Sequence, residues 1–263
     1  MSAAPDEVPI ALPEEAVQAD PVDASTAPPV VLVDPATGCS PYPPVTPTSP
    51  PVVDEVGAWH RLLDLMARSP ERAVLGIAGA PGAGKTTYAD YLAGCWFDAT
   101  VVGMDGFHLA QSALTRLGRS ARKGAPDTFD VVGYLTLLRR IRRPGDETVW
   151  APEFRRDLED PIAAVVPIRP STRLVITEGN YLLLPEGPWA QAREFCDEVW
   201  YVEVPERVRV ARLVARHEAY GRSRAQARAR ATVGVDAENA ELIATTRARA
   251  DVVVTLSMAE EEM

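Results

Sequence analysis

The stretch GAPGAGKT, Gly79 to Thr86, decides how the rest of the chain is read. It follows a short apolar run, AVLGIAG from Ala73 to Gly79, and opens into KTTYADYLAGCW, which continues as a helix. Strand, glycine-rich turn and helix in that order fit G-x-x-x-x-G-K-[ST], a loop whose backbone N–H groups surround phosphate oxygens. Gly79, Gly82 and Gly84, with Ala80, Pro81 and Ala83 between them, let the backbone approach that closely, and the helix start adds its positive dipole end. Lys85 is placed to bridge the β- and γ-phosphates of ATP, the Thr86 hydroxyl to ligate Mg²⁺, and Thr87 completes the cofactor-binding stretch.

Outward from this loop, strands are expected at Thr100 to Met104, Leu174 to Thr177, Val199 to Val204 and Asp251 to Leu256, with helical patterns between them. Strands alternating with helices imply parallel crossovers, hence an α/β sandwich with helices on both faces of a parallel sheet. Two of these strands end in acids. RLVITEGNYLL puts Glu178 where an acid meets Mg²⁺ or its waters. VVGMDGFHLA puts Asp105 about 20 residues after the loop, at the end of the next strand. Asp-Gly by itself is a turn signal. In a parallel sheet, however, strand ends gather at the cradle's edge, so the Asp105 carboxylate can face a transferred phosphoryl group as a base.

Charge and composition divide the chain unevenly. No Lys or Arg precedes Arg61, nine acids fall in that segment, and the remainder holds 27 basic against 28 acidic side chains. The balanced main body gives no support to a nucleic-acid-binding surface. Residues 1–53 carry 13 of the 24 prolines, so they are expected to form a disordered, acidic tail ahead of a domain over residues 54–263. The tail lacks the basic start and apolar core of a secretory signal, and no apolar run reaches the ~18 residues of a membrane span. Cys39, Cys95 and Cys196 are too scattered for a disulfide framework or a zinc site. A cytoplasmic protein is the expectation.

The ordered set GAPGAGKTT, MDGFHL, RKGAPDTFDVVGYLTLLRRI, APEFRRDLEDPI, VITEGNYLLL and RLVARHEAYGRSRAQA spans roughly Val74 to Asp251. It resembles the P-loop small-molecule kinases that include uridine kinase, phosphoribulokinase and bacterial-type pantothenate kinase. Within that group it is most similar to the nucleoside/nucleotide kinase branch, whose members are described as fructose-transport-system kinases. The resemblance implies a three-layer sandwich with strand order 2-3-1-4-5 and a helical lid, ATP and Mg²⁺ as cofactors, and transfer of the γ-phosphoryl group to a small-molecule hydroxyl. Homodimers are frequent in the group.

The resemblance also implies site residues. Asp105 is then the base for the acceptor hydroxyl. His108 reads equally as a substrate contact or a packed histidine. Lys123, in RKGAPDTFD, reads equally as part of the acceptor-site wall or as a solvated charge beside the helix that starts near Val131. Arg156 matches a substrate-side residue, whereas Arg155 stands where the group more often has an acid. Arg209, Arg212 and Arg216 recur on one helix face, and in the lid Arg216 and Arg222 would close on the phosphates, with Gly221 as the break where closure occurs. Asn239 reads as a nucleotide contact or a helix residue. The competing reading is a non-catalytic or slowly hydrolysing regulatory P-loop protein; it would turn over ATP without an acceptor.

Overall fold

The computed structural model describes residues 49–143 and 145–256. Five strands expected from the sequence form one parallel sheet with a sixth at its edge. In chain order these are β1 (Val52–Val53), β2 (Ala73–Ala78), β3 (Ala99–Gly103), β6 (Leu174–Glu178), β7 (Glu198–Glu203) and β8 (Val252–Thr255). Their spatial order is β1-β8-β7-β2-β6-β3, and every pairing is parallel. Without β1, the five strands counted along the chain give the order 2-3-1-4-5. The expected tail boundary at residue 53 therefore needs correction, because Val52 and Val53 pair with Val253 and Val254. Residues 1–48 of the expected tail lie outside the described residues.

The two faces of the sheet separate by the period-2 alternation of strand side chains. Leu75, Ile77, Leu174 and Ile176 point to one face. There they pack with Leu62 and Leu65 of α1 (Glu55–Arg68) and Tyr88 and Leu92 of α2 (Lys85–Gly94). Val74, Val102, Val175 and Val199 point to the other, against Tyr134 and Leu138 of α4 (Val131–Arg142), Tyr181 and Trp189. A short α3 (Gln111–Arg116) precedes α4. Burial on both sides explains why β2 is apolar throughout rather than alternating.

Helix starts follow the local signals. Asp54 accepts from Gly57 N at 2.8 Å to cap α1, and Asp130 accepts from Gly133 N at 2.9 Å to cap α4. Helices α5 (Glu206–Ala219) and α6 (Arg224–Thr232) take up the stretch expected as the lid, and α7 (Val235–Ala244) follows them.

A two-stranded antiparallel hairpin, β4 (Val149–Arg155) with β5 (Asp160–Ile168), was not among the expected strands. Pro152, Pro161 and Pro167 interrupt its pattern, and it stands apart from the main sheet. Its placement matters for the site. Gly106 lies so close to the hairpin that a Cβ there would be 2.5 Å from the Pro152 carbonyl oxygen.

Candidate active site

Register brings the chemistry to one edge. Glu178 pairs with Ile77 on one side and with Gly103 on the other. The end of β2 that leads into the phosphate loop, the Glu178 carboxylate and the turn carrying Asp105 therefore emerge together. They open on a cavity of about 530 Å³. Lys85, Thr86, Asp105, His108, Lys123, Arg156, Glu178, Arg216 and Arg222 all line it, as do Pro81 and Gly82 of the loop. Gly79, Ala80, Ala83 and Gly84 shape the loop behind that lining, and Thr87 lies on the first turn of α2, outside it.

The loop is held from both sides. Gly82 has φ +83°, and a Cβ there would sit 2.7 Å from the Arg209 carbonyl oxygen, so only glycine allows this approach. Arg209 is buried; it pairs with Glu206 at 2.5 Å and donates to the Pro81 carbonyl at 3.2 Å. It braces the loop and does not line the cavity. Of the three arginines on that helix face, only Arg216 does.

Lys85 is buried, and its Nζ donates to the Ala80 carbonyl at 3.1 Å and to Asn180 Oδ1 at 2.8 Å. Burial lowers its pKa, and the Glu178 and Asp105 carboxylates oppose that shift. Asn180, two residues beyond Glu178, was missed from sequence; its position in TEGN was the available signal.

The Thr86 hydroxyl donates to Glu178 Oε1 at 3.3 Å. Burial first, and the Asp105 charge second, push the Glu178 carboxyl up to about 7. Two oxygens beside a phosphate loop suit Mg²⁺, a hard cation that keeps waters and nucleotide phosphates as its other ligands. Among the described residues no cluster of three His, Cys, Asp or Glu side chains could hold a metal alone.

The raised pKa carries a stability prediction for the nucleotide-free protein. Its folded value of about 7 lies above the ordinary 4.5, so Glu178's contribution is fully present below pH 4.5 and is lost as pH rises through 7. Glu178→Gln is expected to be more stable than wild type at pH 8, by roughly 1–3 kcal/mol, and equal to it near pH 4.5. Thermal unfolding across that range checks this; parallel curves for the two proteins would refute it.

Asp105 is half-buried, its Oδ2 3.3 Å from Arg156 Nη2. His108 Nδ1 lies 2.8 Å from the Asp105 carbonyl oxygen. A carbonyl only accepts, so Nδ1 carries the proton and Nε2 is left as an acceptor. Burial lowers the His108 pKa and favours this neutral form. The ring sits between Phe129 and Phe154, at centroid distances of 4.0 and 4.9 Å, so packing and cavity lining are both true of it.

Lys123 Nζ bonds the Glu159 carbonyl, lies 3.8 Å from its carboxylate and sits over the Phe154 ring at 5.3 Å. Phe154 and Arg156 reach the cavity on the hairpin, which is why sequence alone did not assemble this wall. Arg155 points away: it is exposed and pairs with Asp157 at 2.9 Å. The departure from the group's pattern therefore faces solvent. Asn239 is buried within α7 and donates to the Gly124 carbonyl at 2.9 Å, fixing the RKGAPDTFD loop while also lining the cavity.

This arrangement gathers a glycine-rich loop, a buried lysine and two carboxylates at one cavity. No protein-family model matches the sequence. Among curated proteins, the chain is 33% identical over 169 residues to "Putative uridine kinase C227.14" of Schizosaccharomyces pombe, covering 60% of this chain and 72% of that protein. It is 39% identical over 125 residues to "ATP-dependent kinase-like protein notR'" of Aspergillus versicolor, covering 45% and 73%. Among solved structures, that of a "putative fructose transport system kinase" from Silicibacter sp. TM1040 matches at 37% identity with a TM-score of 0.68, over 75% of this chain and 97% of the other. The chain belongs to the P-loop small-molecule kinases of the uridine kinase and pantothenate kinase superfamily. It is thus an ATP-dependent kinase acting on a small metabolite. No helix among the described residues is long and apolar enough to cross a membrane.

Proposed function

We propose that the cavity transfers the γ-phosphoryl group of ATP to the hydroxyl of a nucleoside, sugar or pantothenate-like acceptor, with residue roles as follows. The loop N–H groups and Lys85 hold the nucleotide phosphates, and Arg216 and Arg222 meet them from the lid. Thr86 and Glu178 would hold Mg²⁺, which supplies neutralisation of charge on the phosphates when bound. The acceptor occupies the portion bounded by His108, Lys123, Phe154 and Arg156. Its hydroxyl proton passes to the Asp105 carboxylate as the oxygen bonds the γ-phosphorus and the bond to the β-phosphate oxygen breaks, releasing ADP.

The observation that carries this reading is the meeting of Lys85, Glu178 and Asp105 at one sheet edge, close enough for the two acids to shift the Lys85 titration. On the same reading the protein works in the cytoplasm, needs no nucleic acid and forms a homodimer, which size-exclusion chromatography tests. The deciding experiment measures ADP formation by the full chain with ATP and Mg²⁺ over nucleosides, ketoses, aldoses and pantothenate. One acceptor is expected to raise turnover well above the ATP-alone rate. A flat panel with ATP bound would favour a regulatory P-loop protein.

A further inference from the structure

One buried histidine in the lid has no part in the roles given above. His217, near the C-terminal end of α5, is buried with its Nε2 2.6 Å from Asp236 Oδ2, at the start of α7. Its Nδ1 lies 3.2 Å from Arg222 Nη1. The donor inventory fixes the proton. Guanidinium only donates, so Nδ1 must accept, and the single ring proton sits on Nε2 and is given to Asp236. The chain Asp236–His217–Arg222 thus has one consistent direction, and it requires a neutral imidazole.

The backbone adds to the same contact. Gly221, at φ +85°, ends α5 by sending its N–H to the Glu218 carbonyl at 3.0 Å, and Arg222 N donates to the His217 carbonyl at 3.1 Å. This is the paired closure in which the second residue past the helix folds back over the residue that accepts from it. Gly221 is therefore a helix stop that places Arg222 above His217, a more specific role than the break expected from sequence. Arg222 is otherwise exposed.

We propose that Asp236 and His217 are positioning residues that hold the Arg222 guanidinium toward the nucleotide phosphates, and that protonation of His217 releases it. This rests on the proposed placement of Arg222 at the phosphates. A protonated ring would present N–H to a guanidinium and lose the contact. The charged groups that act on His217 are Asp236 from α7, Arg216 from its own helix and Arg222 from the turn; Arg230 of α6 stands on the far side of Asp236, at 3.7 Å. Burial and the two arginines lower the His217 pKa while Asp236 raises it, with burial the largest influence, so the ring is neutral at pH 8.

The test is calorimetric binding of ATP with Mg²⁺ to the full chain, without acceptor, from pH 8 to pH 5. At pH 8, Arg222→Ala and His217→Phe are each expected to weaken binding roughly tenfold, and the double variant no further. The gap between wild type and Arg222→Ala should close as pH falls, a comparison that removes the nucleotide's own titration. His217→Asn, whose amide oxygen can still accept from Arg222, should bind more tightly than His217→Phe and keep its gap from Arg222→Ala at low pH. Wild-type affinity in folded His217→Phe, beside a weakened Arg222→Ala, would overturn the positioning role. Unchanged affinity in Arg222→Ala would instead overturn the placement of Arg222, and the inference with it.

Discussion

Asp105→Asn is expected to lower acceptor-dependent turnover by about 10²–10⁴-fold while leaving the dissociation constant for ATP within a few-fold of wild type. Asparagine keeps the size of the side chain and can still accept from Arg156, which lies 3.3 Å from the carboxylate. What it loses is the capacity to take a proton from the acceptor hydroxyl. The cradle itself is untouched, because Lys85 donates its hydrogen bonds to Ala80 and Asn180 rather than to Asp105. Removing one negative charge also eases the Glu178 carboxyl back toward its ordinary range, since Asp105 is one of the groups that raise it. The pairing of calorimetric ATP binding with steady-state ADP release separates the two effects. Full turnover in the variant, or lost ATP binding in a folded one, would remove Asp105 from its role as base.

Lys85→Met should act on both quantities. The ammonium is buried against the loop, donating to the Ala80 carbonyl, and in its proposed role a charge aimed at the transferring phosphoryl group is stronger there than it would be in water. Losing it is expected to reduce turnover by about 10³-fold, in the range seen when one preorganised donor is removed from a reacting oxyanion. Affinity for ATP should also fall, because in the proposed role the same group contacts the ground-state phosphates. Methionine fills similar space, so unfolding stability should stay within roughly 1 kcal/mol. A variant that bound and turned over ATP normally would show that the loop holds phosphate by its N–H groups alone.

The parts of the fold legible in sequence were those with local causes. GAPGAGKT needed only its own residues and neighbours, and the acids just past β3 and at the end of β6 were legible because each follows an apolar run on a parallel sheet. The hairpin was not, because its prolines break the alternation and its residues pack on the Asp105 turn rather than within the main sheet. With it went Phe154, and with it the reason Arg156 and Lys123 belong to one wall. The contact of His217 with Asp236 joins residues 19 apart, and either side chain alone reads as a surface charge. Arg209 was legible as one of a basic row, yet its backbone-facing role depends on Pro81, 128 residues earlier. Periodicity carries no information about such pairings.

The two-residue strand at the sheet edge bears on how the chain is made. Among the described strands β1 pairs only with β8, and the Thr255 hydroxyl bonds the Val53 carbonyl across 202 residues. Ribosomal synthesis delivers Val52 and Val53 long before their partner exists. The strands β3, β6 and β7 follow β2 in the chain and precede β8, but this edge can be completed only after β8 has left the exit tunnel. A chain arrested before Val252 would therefore lack the strand that pairs both with β7 and with Val52 and Val53, so its first valines would still be waiting for the last strand.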